Sequence, residues 1–102
     1  MRISELQKIA ADFRKSLDEK HGEQFKGPKE LMIDLMEEVG ELAKAISRKE
    51  IRGEKPEHSI ESELVDIFLD ILWLANHYGI ELDREFRKSM ERWKKRFGVG
   101  IE

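Results

Sequence analysis

The chain has 102 residues, 40% of them charged, and its nineteen basic and twenty-two acidic side chains leave a net charge of −3. At about 100–200 residues per domain there is room for one domain with a modest core, and the slightly acidic balance argues against a general nucleic-acid binder. The absence of cysteine excludes disulfide staples, zinc fingers, iron–sulfur clusters and thiol catalysis.

Four helices follow from the hydrophobic spacing and the breakers. Ile3, Leu6, Ile9, Ala10, Phe13 and Leu17 recur every three or four residues, predicting an amphipathic first helix that fails near His21–Gly22. Pro28 suits the first turn of a second helix, where its missing N–H costs nothing. Leu31, Leu35, Val39, Leu42 and Ile46 carry that helix towards Lys49. Gly53 and Pro56 mark a loop. Ser59 then reads as the N-cap of a third helix reaching Tyr78, with Gly79 as its left-handed terminator. Asp83 is placed to cap a fourth helix, on which Phe86, Met90, Trp93 and Phe97 form one stripe. With no alternating strand pattern and no repeat, the expected fold is all-α, a four-helix bundle with short connections.

The third helix carries an anomaly. ELVDIFLDILWLA is apolar nearly all round, the mark of a buried helix, yet Glu63, Asp66 and Asp70 interrupt it. Together with Trp73 and His77 they fall on one strip about 80° wide, while Leu64, Phe68, Ile71, Leu72 and Ala75 lie opposite. Isolated buried charges cost several kcal/mol, so these acids require cations or water. The second helix offers a complementary strip of Glu30, Asp34, Glu37, Glu38 and Glu41, interrupted by Gly40. A glycine inside a helix costs about 1 kcal/mol relative to alanine, which marks either a helix packing contact or close approach of a ligand.

If the two strips face each other, their carboxylates converge. An all-oxygen cluster suits Mg²⁺ or Mn²⁺ rather than zinc, and no Glu-x-x-His occurs to support a di-iron bundle. Carboxylate-held Mg²⁺ completes its shell with water and phosphate oxygens, so the site reads as metal-assisted chemistry on a phosphorylated compound. Between Arg84 and Arg96 stand seven basic residues and two acids, and Lys88, Arg92 and Arg96 are expected to meet the phosphates. Trp73 is the first candidate to stack on a base and Phe25 the second.

MEEVGELAKAI followed by ELVDIFLDILWLANHYGIEL resembles the MazG-like, all-α nucleoside triphosphate pyrophosphohydrolases. Their signature is Glu-Glu-x-x-Glu, a spacer, then Glu-x-x-Asp; Glu37, Glu38 and Glu41 match the first part, Glu63 and Asp66 the second. The resemblance runs from Gln24 to Leu82 and more loosely to Phe97. It implies cleavage between the α- and β-phosphates of a nucleotide. Glu38, Glu41, Glu63 and Asp66 would bind one or more Mg²⁺ ions, and Glu37 or Glu38 would orient or deprotonate the attacking water. It also implies a homodimer or homotetramer, with a nucleotide as the substrate and Asp70 near it. Relatives that act on pyrimidine nucleotides carry tryptophan where Gly22 stands and histidine where Lys26 stands. The family often carries lysine and asparagine where Ser89 and Trp93 stand, and together these departures argue against a deoxycytidine or deoxyuridine preference.

MRISELQKIAADF carries charges where a signal peptide would be apolar, and no run of about eighteen apolar residues occurs, so a cytoplasmic location with no membrane partner is expected. No stable nucleic-acid partner is expected either. The lack of threonine, with a single asparagine and abundant Lys, Arg and Glu, matches heat-adapted proteins. Two alternatives stand beside the triphosphate reading. One is a phosphoribosyl-ATP pyrophosphohydrolase with the same fold and acids; the other is a non-enzymatic helical interaction module whose acids form a solvated face.

Overall fold

The structure, a computed structural model, describes residues 1–23 and 27–100. Over these residues the chain is all-α with no strand: α1 (Ile3–His21), α2 (Pro28–Glu50), α3 (Ile60–His77) and α4 (Leu82–Phe97) form the expected four-helix arrangement. Phe25 lies outside the described residues. No described helix is long and apolar enough to cross a membrane.

Most of the punctuation acts as its chemistry requires. Pro28 opens α2, and the Ser59 hydroxyl accepts from the Ser62 N–H at 3.1 Å to cap α3. Gly79 takes φ +64°, the left-handed geometry that lets the chain leave α3. Asp83 is a correction. Glu81 is the N-cap residue of α4, and the Asp83 carboxylate instead accepts from the N–H groups of Ile3 at 3.2 Å and Ser4 at 2.9 Å. It therefore caps α1 from about eighty positions away. The backbone hydrogen bond from Ser4, the largest cause, holds its pKa below the usual carboxylate value.

The core lies where α1, α2 and α3 meet, around Ala10, Leu31, Leu72 and Trp73. α2 lies along α3, α3 packs on α1, and α4 packs chiefly on α1. Trp73 pins α1 to α3: its indole N–H donates to the Ala10 carbonyl at 2.9 Å, and Phe13 stacks 6.3 Å away at 6°. Gln7 is the second tie. Its side-chain amide donates to Asn76 Oδ1 at 3.0 Å and the Ile80 carbonyl at 2.9 Å, and its Oε1 accepts from Leu82 N–H at 3.1 Å. Asn76 returns a bond to the Gln7 carbonyl at 2.9 Å. One buried glutamine thus fixes the turn that sends α4 back onto α1.

The molecule is open. Its radius of gyration is 16.6 Å, against roughly 13 Å for a compact domain of this length. Within the single chain α3 is not buried on most sides: Leu64, Val65, Phe68 and Ile71 are exposed. So are Met32, Met36, Val39 and Ile46 of α2, which share one strip about 80° wide on the side away from its acids. Sequence periodicity marks which face of a helix is apolar, but four helices of this size do not supply enough surface to cover every such face.

Gln7→Ala is expected to lower stability by about 1–3 kcal/mol, because it strands partners in the α3–α4 turn without emptying the apolar core. Urea unfolding checks this: the midpoint should fall with little change in slope.

Candidate metal centre between α2 and α3

The acids on α2 and α3 do face each other. The helices run antiparallel, so Asp34 stands opposite Asp70, and Glu38 stands opposite Glu63 and Asp66, one turn further along. Glu38, Glu63 and Asp66 each offer a carboxylate oxygen within 4.8 Å of the others. They line a cleft of about 520 Å³ with Glu37, Gly40, Glu41, Lys44 and His58. Glu63 is only 4% exposed, and its Oε2 is buried without a hydrogen-bond partner. An all-oxygen donor set from two rigid helices, with one buried oxygen left over, fits a hard divalent cation.

Carboxyls held this close oppose one another's ionisation. A hydrogen bond with the Glu63 carboxyl, then burial, then the charges of Glu63, Asp66 and Asp34 push Glu38 from 4.5 up to about 7. Burial first, then a hydrogen bond with Asp34 and the charges of Asp34, Glu38 and Asp66, push Asp70 from 3.8 up to about 8. Carboxyls this close share protons rather than ionise together. A cation entering the cluster would displace the proton from Glu38.

Gly40 opens onto the same cleft, and a Cβ added there would meet nothing within 4 Å. A packing contact between helices of this chain is therefore not its reason. Glu41 lines the cleft beside the three converging carboxylates, and its Oε1 lies 3.8 Å from Lys44 Nζ.

The residues expected to hold substrate are placed otherwise. Asp70 is 2% exposed and sealed against Asp34 inside the α2–α3 contact, so it is a member of the helix interface rather than a surface for a ligand. Trp73 is buried, bonded to Ala10, stacked with Phe13 and overlain by the Arg14 guanidinium at 5.8 Å, which makes it a core pin rather than an open stacking face. Lys88, Arg92 and Arg96 lie on α4 and do not line the acidic cleft. Lys88 pairs with Glu85 at 3.3 Å, Arg92 donates to Ser89 at 2.9 Å, and Arg96 lies over the rings of Trp93 and Phe97. The cations at the cleft are Lys44 and His58, which sequence reasoning missed. The signal was present: Lys44 follows Glu41 by three residues and Glu37 by seven, on the same side of one helix.

Residues 26–97 match the MazG nucleotide pyrophosphohydrolase domain. YvdC of Bacillus subtilis, an uncharacterized protein, is 33% identical over 98 residues, covering 86% of this chain and 92% of its own. YpjD of the same organism is 31% identical over 99 residues, covering 87% and 86%. The crystal structure of B. subtilis YpjD, described provisionally as a pyrophosphatase, superposes with a TM-score of 0.72 at 28% identity, covering 89% of this chain and 91% of that one.

A carboxyl whose pKa is raised on folding stabilises the fold below its unfolded value and loses that contribution as pH rises through its folded value. For Asp70 the window runs from 3.8 to about 8, so the metal-free protein should lose stability across it. Asp70→Asn retains a donor for Asp34 and removes the titration. It should raise the melting temperature at pH 8 and flatten the fall between pH 5 and pH 8, as read by calorimetry in EDTA.

Proposed function

Because the chain belongs to the MazG nucleotide pyrophosphohydrolase family, we propose that it hydrolyses the α–β phosphoanhydride of a nucleoside or deoxynucleoside triphosphate, giving the monophosphate and pyrophosphate. Mg²⁺, with Mn²⁺ as substitute, is the proposed cofactor. The observation that carries this reading is the convergence of Glu38, Glu63 and Asp66 from two helices inside the matched segment.

Glu38, Glu63 and Asp66 would hold the cation, with Glu41 beside them at the edge of the cleft. Such an ion supplies positive charge to the α-phosphate oxygens and lowers the pKa of adjacent water. Glu37 lines the cleft but stands outside the converging trio, which leaves its carboxylate free to accept the proton of the attacking water. Gly40 keeps the wall between Glu38 and Glu41 bare, so a phosphate can approach the α2 backbone closely.

The exposed apolar faces of α2 and α3 support a homo-oligomer. Both helices turn their acids towards each other and their apolar strips outward, the reverse of an ordinary soluble helix pair. A second copy covering those strips would remove the mismatch.

The direct test is a nucleotide panel assayed with Mg²⁺, Mn²⁺ and EDTA, resolving pyrophosphate from single phosphate. Metal-dependent pyrophosphate release is expected, and Asp66→Ala should abolish it while leaving the fold intact. Release of single phosphate would overturn α–β cleavage. A blank panel followed by turnover of phosphoribosyl-ATP would reassign the substrate. Gly40→Ala separates packing from approach: it should stabilise the protein by about 0.5–1 kcal/mol while lowering turnover. Unchanged turnover would remove Gly40 from the site.

A further inference from the structure

Beside the acidic cleft lies a second one of about 440 Å³, lined by Lys44, Arg48, Arg52 and His58 together with Glu41 and Glu57. The two clefts share Glu41, Lys44 and His58 and so form one continuous groove. Along α2, the series Glu37, Glu41, Lys44 and Arg48 steps by four, three and four residues. A single helical strip therefore changes sign from acidic to basic within about three turns. Arg52 continues it just past the helix end, and His58 closes it from the loop that leads into α3.

We propose that this basic half of the groove is the subsite for the diphosphate end of the substrate, and hence for the pyrophosphate product. The assignment rests on the pyrophosphohydrolase reading above and deepens it. Among the described residues, neither Arg48 nor Arg52 has a carboxylate within ion-pair distance, and Lys44 reaches Glu41 only at 3.8 Å. Their donors remain available for phosphate oxygens, which guanidinium groups bind in charge-assisted pairs.

Cations in the last turn of a helix also complement its dipole, and Arg48 serves that end. The dipole does not account for Lys44, two turns from the end of α2, or for His58 on a different segment; both face the same space. The cations of α4 are poorer candidates, since Lys88 and Lys94 pair with glutamates of their own helix and Arg96 lies over two rings.

The subsite gives the reaction a direction. With the α-phosphate at the carboxylate cluster, the β- and γ-phosphates run towards the C-terminal end of α2 and the nucleoside towards its N-terminal half. Water adds to the α-phosphorus and yields its proton to Glu37. The α–β bridging oxygen departs on pyrophosphate with its electron pair, and the new charge appears beside Lys44 and Arg48.

The test uses inorganic pyrophosphate as probe, titrated calorimetrically into the full chain with and without Mg²⁺. Arg48→Gln with Arg52→Gln should weaken pyrophosphate binding roughly 100-fold, about tenfold for each lost guanidinium. Mn²⁺ affinity, read by electron paramagnetic resonance, should stay within about twofold, since the carboxylates are untouched. Arg84→Gln with Lys95→Gln, the same charge change on α4, should leave pyrophosphate binding as in the wild type. If the double variant misfolds, Arg52→Gln alone, at an exposed position, should still lose about tenfold. Wild-type binding in the Arg48/Arg52 variant, or no pyrophosphate binding by the wild type, overturns the subsite. Arginine-dependent binding with no turnover of any nucleotide overturns the reaction and keeps the subsite; turnover with a KM indifferent to both arginines does the reverse.

Discussion

Everything in this molecule is arranged around mutual repulsion between carboxylates that face each other across its main helix contact. In an ordinary bundle the α2–α3 seam would be filled by leucine. Here its middle holds Asp34, Glu38, Glu63, Asp66 and Asp70, and the two buried residues of α2, Leu31 and Ala45, bracket them at either end. The apolar contacts clamp the seam at its ends while its centre pushes apart. Burial, hydrogen bonds between the carboxyls and their like charges raise the pKa values of Glu38 and Asp70, so retained protons relieve the repulsion, and a cation would relieve it too. A centre that is costly without an ion and favourable with one would be a preorganised ion site. The helices hold the donors in place so that little reorganisation remains to be done on binding.

The same polarity extends along α2. Acids occupy its middle turns and bases its last two, with the loop before α3 adding His58. A triphosphate has the matching demand, since its α-phosphorus must meet a concentrated positive ion while its leaving diphosphate needs dispersed donors. Glu37, Glu41, Lys44 and Arg48 share one face of α2, so an extended ligand lying along the helix would meet acids first and bases next. Gly40, between Glu38 and Glu41, leaves the α2 backbone bare on the cleft side of that stretch.

The elements and the facing acids were legible because they are local or periodic. Pro28, Ser59 and Gly79 act within a few residues of themselves, and the strips of Glu38 and Asp66 follow from helical spacing. What was not legible depends on how helices are rotated and paired. Periodicity placed Trp73 and Asp70 on the acid strip, but that strip is wide enough to touch two neighbours. Its Trp73 edge meets α1, where the indole bonds Ala10, while Asp70 meets Asp34. Asp83 looked like a local cap, yet its partners are the first N–H groups of α1, eighty positions away for Ile3. The cations of α4 were assigned to the phosphates from their density in sequence; within one chain α4 packs on α1 and does not line the acidic cleft.

The outward-facing apolar strips follow from the same constraint. Once α2 and α3 commit their facing sides to carboxylates, their hydrophobic residues are left on the other side: Met32, Met36 and Val39 on one helix, Leu64, Val65 and Phe68 on the other. Burying those strips against a second copy would do more than hide apolar surface. Excluding water from both outer faces would lower the effective dielectric around the seam, strengthening the repulsion among its acids and their attraction for a cation alike. Assembly and ion binding would then reinforce each other, each favouring the state in which the other is complete.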